Sequence, residues 1–415
     1  MCIPLYNHIP LSIFLSNLVI HSLSYYIYSP SQKLSTIIFL VKFLKTVMEL
    51  ISGLPEDIAR DCLIRISYHQ FPAVASVSKG WKTEIQMSEF RRLRKSMGHA
   101  QKILITVQSK FDSEKSKTSS LGKGVMAMTN PVYKLSVLET ETGVWSELPL
   151  GPELCDGLPL FCQIAGVGYD LVVMGGWAPD SWKASNSVFI YNFLSGMWRR
   201  GADMPGRPRT FFSCASDHDR MIYVAGGHDE EKNALKSVFA YDVASDTWMP
   251  LPDMAKERDE CKVVFSSGAF GCSGRIRVVG GYHTEMQGRF ERSAEEFDIA
   301  TWKWGPVVED FLDDATCPRT CVESCDMDGR MYMCKSDDVV VLEGDTWKKV
   351  AKVPSEIKNI ACLGACDGEL LLIGSSGFGK PCMGFMLGLK SGVWTTFECP
   401  KNYSGHVQSS CLLEI

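Results

Sequence analysis

The sequence predicts a mainly β fold, a six-bladed β-propeller that follows a small three-helix domain. The first observation is an apolar strand that ends in two glycines, with an aromatic residue about fifteen positions later and a tryptophan seven positions after that, recurring about every fifty residues. The second is a final strand that no blade follows. The clearest copies of the repeat contain Gly175-Gly176 with Tyr191 and Trp198, Gly226-Gly227 with Tyr241 and Trp248, and Gly280-Gly281 with Phe297 and Trp304.

One repeat contains four strand signals. In the second copy, residues 211–215 and Met221–Ala225 are apolar runs on either side of a polar turn, and two glycines follow. Residues 237–242 and a short run around Trp248 provide two further strands. Four antiparallel strands make one blade, which cannot bury both of its faces alone and therefore needs neighbours.

The tryptophan series predicts the number of blades and how the ring closes. The series contains six tryptophans: Trp145, Trp198, Trp248, Trp304, Trp347 and Trp394. Only Trp347, which lies five residues after Leu342, indicates a shortened hairpin. New strand candidates begin after them at Leu158, Phe211, Cys261, Cys317, Ile360 and Val407. The last, 406–415, has no blade after it, whereas the first blade lacks a strand. We therefore expect the C-terminal strand to complete the N-terminal blade and remove exposed sheet edges.

Residues 98–415 resemble kelch repeats. The fifth and sixth copies depart from the pattern, with Lys335-Ser336 and Gly374-Ser375 where the diglycine belongs. A WD-repeat propeller is the nearest alternative, but its Gly-His and Trp-Asp pattern is missing from the sequence.

Residues 48–97 predict three short helices. Pro55, Glu56 and Asp57 are typical of a helix start. The apolar positions expected on the first, second and third helices are Ile58, Cys62, Leu63 and Ile66, then Val74, Val77 and Trp81, then Ile85, Phe90 and Leu93. Fifty residues bury little core, so some of this apolar surface is expected to face a partner.

The order of these signals resembles an F-box. The resemblance implies docking on the Skp-type adaptor of a cullin-based ubiquitin ligase. The residues expected to contribute to adaptor docking or to the small core are Leu54, Pro55, Ile58, Leu63, Ile66, Val77 and Trp81. The alternative is a helical cap that binds no adaptor.

The two halves together resemble plant F-box/kelch-repeat proteins, and residues 48–102 look most like the subgroup that targets phenylalanine ammonia-lyase. The resemblance implies a non-catalytic substrate receptor that restrains phenylpropanoid synthesis through ubiquitination and proteasomal degradation. Two alternatives remain. The protein could be the same kind of receptor for a different protein substrate, or it could be a kelch scaffold or enzyme without ligase function.

Two sets of loops are expected on the rim that binds the substrate. They contain aromatic residues and arginines, which are enriched at protein interfaces. The candidates are Trp177, Trp182, His228, Tyr282, His283 and Arg289 after the diglycines, and Arg207, Arg209, Arg258 and Arg319 before the next blades. A copper centre would need converging histidines, but His218, His228, His283 and His406 are dispersed over separate blades.

Composition excludes several other classes. A net charge of −5 disfavours nucleic-acid binding. The 16 cysteines form no Cys-x-x-Cys pair, so we expect buried reduced thiols, no metal, no cofactor and a location in the cytoplasm or nucleus. Residues 1–47 are doubtful: the first 32 lack Lys, Arg, Asp and Glu, so the extension is interpreted either as sequence before a true start at Met48 or as a membrane anchor. Residues 108–130 are expected to form a mobile loop.

Overall fold

The computed structural model describes residues 49–110, 131–266, 274–324, 329–366 and 368–415. The expectations for residues 1–47, for a start at Met48 and for residues 111–130 of the predicted loop lie outside the described residues. The described part contains no helix long and apolar enough to cross a membrane.

Six sheets of four antiparallel strands form the propeller, which confirms the predicted fold class. The first blade contains β1 (Lys102–Ser109), β2 (Tyr133–Glu139) and β3 (Trp145–Leu148). The next two contain β4 (Gln163–Val167), β5 (Asp170–Met174), β6 (Val188–Asn192), β7 (Met197–Gly201), β8 (Ser213–Ser216), β9 (Met221–Ala225), β10 (Val238–Asp242) and β11 (Thr247–Leu251). The last three contain β12 (Lys262–Ser266), β13 (Arg275–Val279), β14 (Ala294–Asp298), β15 (Lys303–Trp304), β16 (Val322–Glu323), β17 (Met331–Lys335), β18 (Asp338–Glu343), β19 (Thr346–Lys352), β20 (Asn359–Cys366), β21 (Glu369–Ser375), β22 (Cys382–Gly388) and β23 (Trp394–Phe397).

The C-terminal strand β24 (Val407–Glu414) pairs with β1 and makes the first blade four-stranded. Its register runs from Lys102 opposite Glu414 to Gln108 opposite Val407, with a bulge near the last pair. The innermost strand of the first blade therefore comes from the end of the chain and the other three from the start of the ring. Such closure pairs strand groups that would otherwise form an open edge.

The tryptophan of each repeat joins its blade to the preceding one. Within the blade, each tryptophan lies opposite an aromatic residue or a leucine of the neighbouring strand, as Trp248 does opposite Tyr241. Its indole Nε1 donates to a backbone carbonyl of the preceding blade, as Trp248 does to Ala202 at 2.8 Å. The other five donors are Trp145 to Glu398, Trp198 to Pro149, Trp304 to Pro252, Trp347 to Phe311 and Trp394 to Lys352. One residue type per repeat thus explains both the hairpin and the attachment between blades.

The diglycine is required by close backbone contact. Gly227 has φ +80°, and a Cβ there would lie 2.4 Å from the carbonyl oxygen of Thr210. Only glycine combines this conformation with so close an approach. In the fifth blade, Ser336 adopts a positive φ of 52° at the position where the repeat departs from diglycine.

The predicted start of several inner strands is corrected. Phe211 was expected in a strand, but β8 begins at Ser213, and Phe211 has φ 55°. Phe161 and Glu260 adopt the same left-handed conformation, with φ 59° and 50°, just before β4 and β12. This conformation is costly for residues with a side chain. It turns each residue out of the blade before the inner strand begins.

The helical domain has four helices where three were expected: α1 (Glu56–Ile64), α2 (Phe71–Val77), α3 (Lys79–Gln86) and α4 (Ser88–Ser96). The predicted second helix divides at Ser78, which is extended and accepts a hydrogen bond from the Trp81 backbone N–H at 3.1 Å. The predicted third helix divides at Met87, which is also extended and separates Ile85 from Phe90. A side-chain cap and an extended residue each end a helix that apolar spacing alone would continue.

The helical domain packs on the first two blades and shares their core. Buried Phe71 contacts Tyr169 edge to face, with ring centroids 5.6 Å apart. The fully buried guanidinium of Arg94 donates to the carbonyls of Ile66 at 2.7 Å and Ile415 at 3.2 Å. The helices and the propeller are therefore joined through a common apolar core and a buried cation.

The predicted loop begins later than expected. Gln108 belongs to β1, and its amide donates to the carbonyls of Tyr403 at 2.7 Å and Gly405 at 3.0 Å. These bonds fix the end of β1 against the segment that precedes β24.

Candidate functional site: two surfaces at opposite ends of the ring

The six innermost strands run in one direction through the centre of the ring. These strands, β4, β8, β12, β16, β20 and β24, line a channel of about 620 Å³. The loops that connect successive blades lead into the first residues of these inner strands. We call the end of the ring where these loops lie the open rim. The last residues of the inner strands lie at the opposite end, which we call the helix end.

Helix α4 lies against the helix end of the channel. Arg91 pairs with Asp219, which follows β8, and Lys95 lies 2.6 Å from Glu414 at the end of β24. Arg91, Arg92 and Lys95 all line the channel. The helical domain thus obstructs one end of the ring and leaves the other end to loops.

Exposed apolar side chains lie at the start of helix α1 and at the end of α2. Leu54 and Pro55 precede α1, Ile58 lies one turn further on, and all three are exposed. Val77 ends α2 with 61% of its surface exposed. We call these four residues the docking face. Large exposed apolar side chains on neighbouring elements are candidates for a protein interface.

The other three predicted docking residues serve the core to different degrees. Leu63 is 1% exposed and packs inside. Ile66 and Trp81 are half-buried against the same core. The indole of Trp81 also donates to the carbonyl of Leu50 and so attaches the segment before α1. The two helical faces separate these roles, because Ile58 and Leu63 lie on different sides of α1.

The electrostatics of the helical domain support this division. Glu84 is buried and forms an ion pair with Arg60, which links α3 to α1. Arg65 pairs with Asp61 on the exposed side of α1. Glu56 and Asp57, which lie between Pro55 and Ile58 at the start of α1, are also exposed, so a partner at the docking face would meet negative charge as well as apolar surface.

Aromatic residues form a cluster on the open rim. Trp177 contacts Phe161 and Trp182 at centroid distances of 5.3 and 6.4 Å, and Phe161 stacks on Phe211 at 4.8 Å. His228 stacks on Phe211 at 5.3 Å. Three of these residues, Phe161, Trp182 and Phe211, have positive φ angles of 55° to 59°. Strained backbone of this kind is concentrated at functional sites. We call the five residues the rim aromatic cluster.

His228 is fixed at the edge of this cluster. Its Nδ1 lies 2.7 Å from a carboxylate oxygen of Asp259, and its Nε2 lies 2.9 Å from the hydroxyl of Thr210. Both ring nitrogens therefore have partners. His228 supports the position of Phe211 and offers a partner little more than its ring edge.

The burial of two arginines corrects the expectation that their side chains face a substrate on the rim. Arg209 is 2% exposed and donates to the carbonyl of Gly226 at 3.2 Å and the hydroxyl of Ser237 at 2.8 Å. Arg258 is 1% exposed and forms an ion pair at 3.1 Å with Glu295, which is equally buried. Both guanidinium groups hold the backbone of the diglycine region inside the blade. Neither has surface left for a substrate.

The other predicted rim residues differ in exposure. The expected exposure of Tyr282 is also corrected, because its side chain is buried and its phenol donates to Glu260 at 3.0 Å. Arg207 is exposed, and its guanidinium lies 3.0 Å from Asp229 and 3.5 Å from Glu231. Those carboxylates already neutralise it. Two further arginines, Arg289 and Arg319, are exposed, and His283 is half-buried.

Sequence reasoning missed one exposed aromatic residue on the rim. Phe378 is 96% exposed in the loop that joins β21 to β22. Gly379, with φ +69°, follows it directly. A phenylalanine in a glycine-rich turn, Ser375 to Gly379, was the available signal. The sixth blade therefore also presents an exposed aromatic side chain on the open rim.

The channel cysteines are protonated thiols. Burial raises the pKa of Cys214, Cys261 and Cys321 to about 12 and that of Cys362 to about 11. In the part of the chain that the structure describes, no three His, Cys, Asp or Glu residues are grouped to hold a metal ion. The channel therefore presents neutral sulfur together with the charges of other residues.

Comparisons with known proteins agree with both halves of the architecture. The Kelch motif matches residues 160–205 and 208–255. The Arabidopsis thaliana F-box/kelch-repeat protein At1g80440 is 46% identical over 89% of this chain and all of its own length, and At1g15670 of the same organism is 45% identical over the same shares. A solved structure titled "Structure of YjhT" shares the fold at a TM-score of 0.51 and 15% identity, over 64% of this chain and 91% of its own. The chain belongs to the F-box/kelch-repeat proteins.

Proposed function

We propose that this protein is the substrate receptor of a Skp–cullin–F-box ubiquitin ligase. One observation carries the proposal: the docking face and the open rim occupy opposite ends of one connected body. Leu54, Pro55, Ile58 and Val77 are available to an adaptor, while the rim aromatic cluster is available to a substrate. A receptor must bind both partners at once, and this arrangement avoids a clash between them.

Adaptor binding is expected to be apolar in character. Burying a fully exposed leucine or isoleucine contributes about 1.5–3 kcal/mol. The docking face offers Leu54, Ile58 and Val77, which are 37%, 47% and 61% exposed. Leu63, Ile66 and Trp81 support this face from below by filling the core of the domain.

Substrate binding is assigned to the open rim. Trp182 and Phe378 are the most exposed aromatic side chains there, at 51% and 96%. Aromatic anchors of this kind account for much of the binding energy of many interfaces. Arg207, Arg289, Arg319 and His283 surround them as the polar part of the same surface.

The substrate we propose is phenylalanine ammonia-lyase, so that the receptor would restrain phenylpropanoid synthesis in the cytoplasm or nucleus. The support is the likeness of residues 48–102 to the subgroup of receptors that targets this enzyme. A different protein substrate, handled by the same two surfaces, is the alternative.

Lifetime of the lyase in cells tests the proposal. Overproduction of this protein should shorten the half-life of the lyase, and a proteasome inhibitor should restore it. A variant with Trp182→Ala and Phe378→Ala should lose the effect, whereas Met249→Ala, on the outer strand β11, should keep it. An unchanged lyase half-life, with adaptor binding intact, would exclude this substrate and leave the receptor assignment in place.

A further inference from the structure

The central channel contains two cations without an assigned role. Lys262 begins β12, and Arg319 lies in the short 3-10 helix Pro318–Thr320 before β16. Both line the channel of about 620 Å³. Their side chains form no ion pair and no hydrogen bond with any residue that the structure describes. A charge facing a cavity without a counter-ion favours an anionic occupant.

The two charges act on the same part of the wall. Burial raises the pKa of Cys317 and Cys362, and the positive charges of Lys262 and Arg319 both oppose that rise. Lys262 and Arg319 are therefore close to the same two thiols. A single anionic group can be attracted by both.

Most polar groups along the wall are already used to join blades. The hydroxyl of Ser213 accepts the backbone N–H of Val263 at 2.9 Å, and the hydroxyl of Ser216 donates to the carbonyl of Gly166 at 2.7 Å. The amide of Gln408 accepts the N–H of Phe161 at 2.8 Å. These bonds belong to the ring itself, whereas the side chains of Lys262 and Arg319 have no such bond to a residue that the structure describes.

Carboxylates that face the channel are occupied. Glu260 accepts the phenol of Tyr282 at 3.0 Å, and Glu414 pairs with Lys95 at 2.6 Å. Burial raises the pKa of Glu323 to about 7, and its carboxyl accepts a hydrogen bond from Ser266 at 2.7 Å. None of these carboxylates forms an ion pair with Lys262 or Arg319, but the negative charge of Glu260 acts on Cys317 together with the two positive charges. The three groups therefore leave one net positive charge at this part of the wall.

The shape of the channel favours a small ligand over an extended polypeptide that would pass through the ring. Helix α4 lies across the helix end, so entry is from the open rim, past Phe161 and Phe211. The volume falls within the roughly 300–1,000 Å³ typical of small-molecule sites. We propose that the channel binds a small organic anion, with a carboxylate or phosphate held by Lys262 and Arg319 and an apolar body against the aromatic mouth.

The site lies beneath the rim aromatic cluster, because Phe161 and Phe211 belong to both. An occupied channel would support these two rings from below. This consequence rests on the proposed substrate surface, whereas ligand binding itself does not.

Titration of the purified full chain with phenyl phosphate and benzoate tests the site without any substrate protein. At least one of them should raise the melting temperature and give saturable heat in calorimetry, while benzyl alcohol should not. Lys262→Met and Arg319→Met should each weaken binding by roughly tenfold, because each removes a charge-assisted contact. Lys358→Met, which changes an exposed lysine outside the channel lining, should bind like the parent.

Melting of the ligand-free variants separates loss of binding from loss of folding, and the comparison is made between variants that melt like the parent. Failure of both anions to bind, or equal binding to parent and Lys262→Met, would overturn the proposal. Equal binding of inorganic phosphate and phenyl phosphate would overturn its organic part. Adaptor capture through the docking face is measured separately, so either result can fail without the other.

Discussion

The guanidinium of Arg94 donates to the backbone carbonyl of Ile415 at 3.2 Å. One residue belongs to the last helix of the helical domain, and the other follows the strand that closes the propeller. Arg94 also donates to Ile66 at 2.7 Å, and its guanidinium lies 5.0 Å from the ring centroid of Phe71. A single buried cation thus connects the helical core to the closure of the ring.

Replacing Arg94 by leucine should destabilise both halves together. The substitution leaves buried carbonyls without a donor, a loss of roughly 2–4 kcal/mol in the free energy of unfolding. Chemical denaturation of the full chain measures it. Arg92→Leu, on the exposed side of the same helix, is the matched control and should change stability by less than about 0.5 kcal/mol. Equal stability of the two variants would show that Arg94 does not join the domains.

Replacing Trp248 by phenylalanine should weaken the attachment between the second and third blades. The change removes the 2.8 Å hydrogen bond to Ala202 and keeps a ring beside Tyr241. We expect a loss of about 1 kcal/mol, because the carbonyl of Ala202 loses its indole donor. Trp302→Phe, at a tryptophan that is 41% exposed, controls for the change of ring size. A larger loss for the control would contradict the role given to the indole.

The Arg220–Asp242 pair should make stability depend on pH. The hydrogen bond from Arg220 lowers the pKa of Asp242 to about 2. Because the carboxyl of the unfolded chain has a pKa of about 3.9, the pair stabilises the fold above that pH and loses its effect as pH falls towards 2. Arg220→Met should therefore lower the stability only slightly at pH 7, because the arginine is largely exposed and solvent screens its charge.

Urea titrations at several pH values measure this dependence. The difference between parent and Arg220→Met should shrink between pH 5 and pH 2. Lys236→Met, at an exposed lysine 3.8 Å from Asp253, provides a surface control. A difference that stays constant down to pH 2 would exclude the proposed coupling.

The sequence predicted the propeller well because each repeat carries its own physical constraints. Trp248 and Tyr241 lie opposite each other, and Gly227 leaves no room for a Cβ. Both constraints are local, so spacing alone reveals them. The indole bond to Ala202 was not foreseeable, because it joins blades whose relative placement depends on the whole ring.

The candidate surfaces were predicted less completely. Arginine in a rim loop suggested a contact residue, but Arg209 and Arg258 turn inward and hold backbone carbonyls. Sequence pattern does not indicate the direction of a long side chain in an irregular loop. Phe378 was overlooked because a lone exposed aromatic residue produces no periodic signal.

Co-purification with a Skp-type adaptor is the decisive experiment for the proposed receptor function. A double variant with Leu54→Asp and Ile58→Asp places charge on the exposed docking face, while the buried residues of α1 remain unchanged. Val144→Asp, in a comparably exposed position on the first blade, is the control. We expect the parent and the control to retain the adaptor and the double variant to bind it at least tenfold more weakly, with the melting temperature unchanged. Full retention of the adaptor by a correctly folded double variant would contradict the assignment of this face, and with it the receptor function.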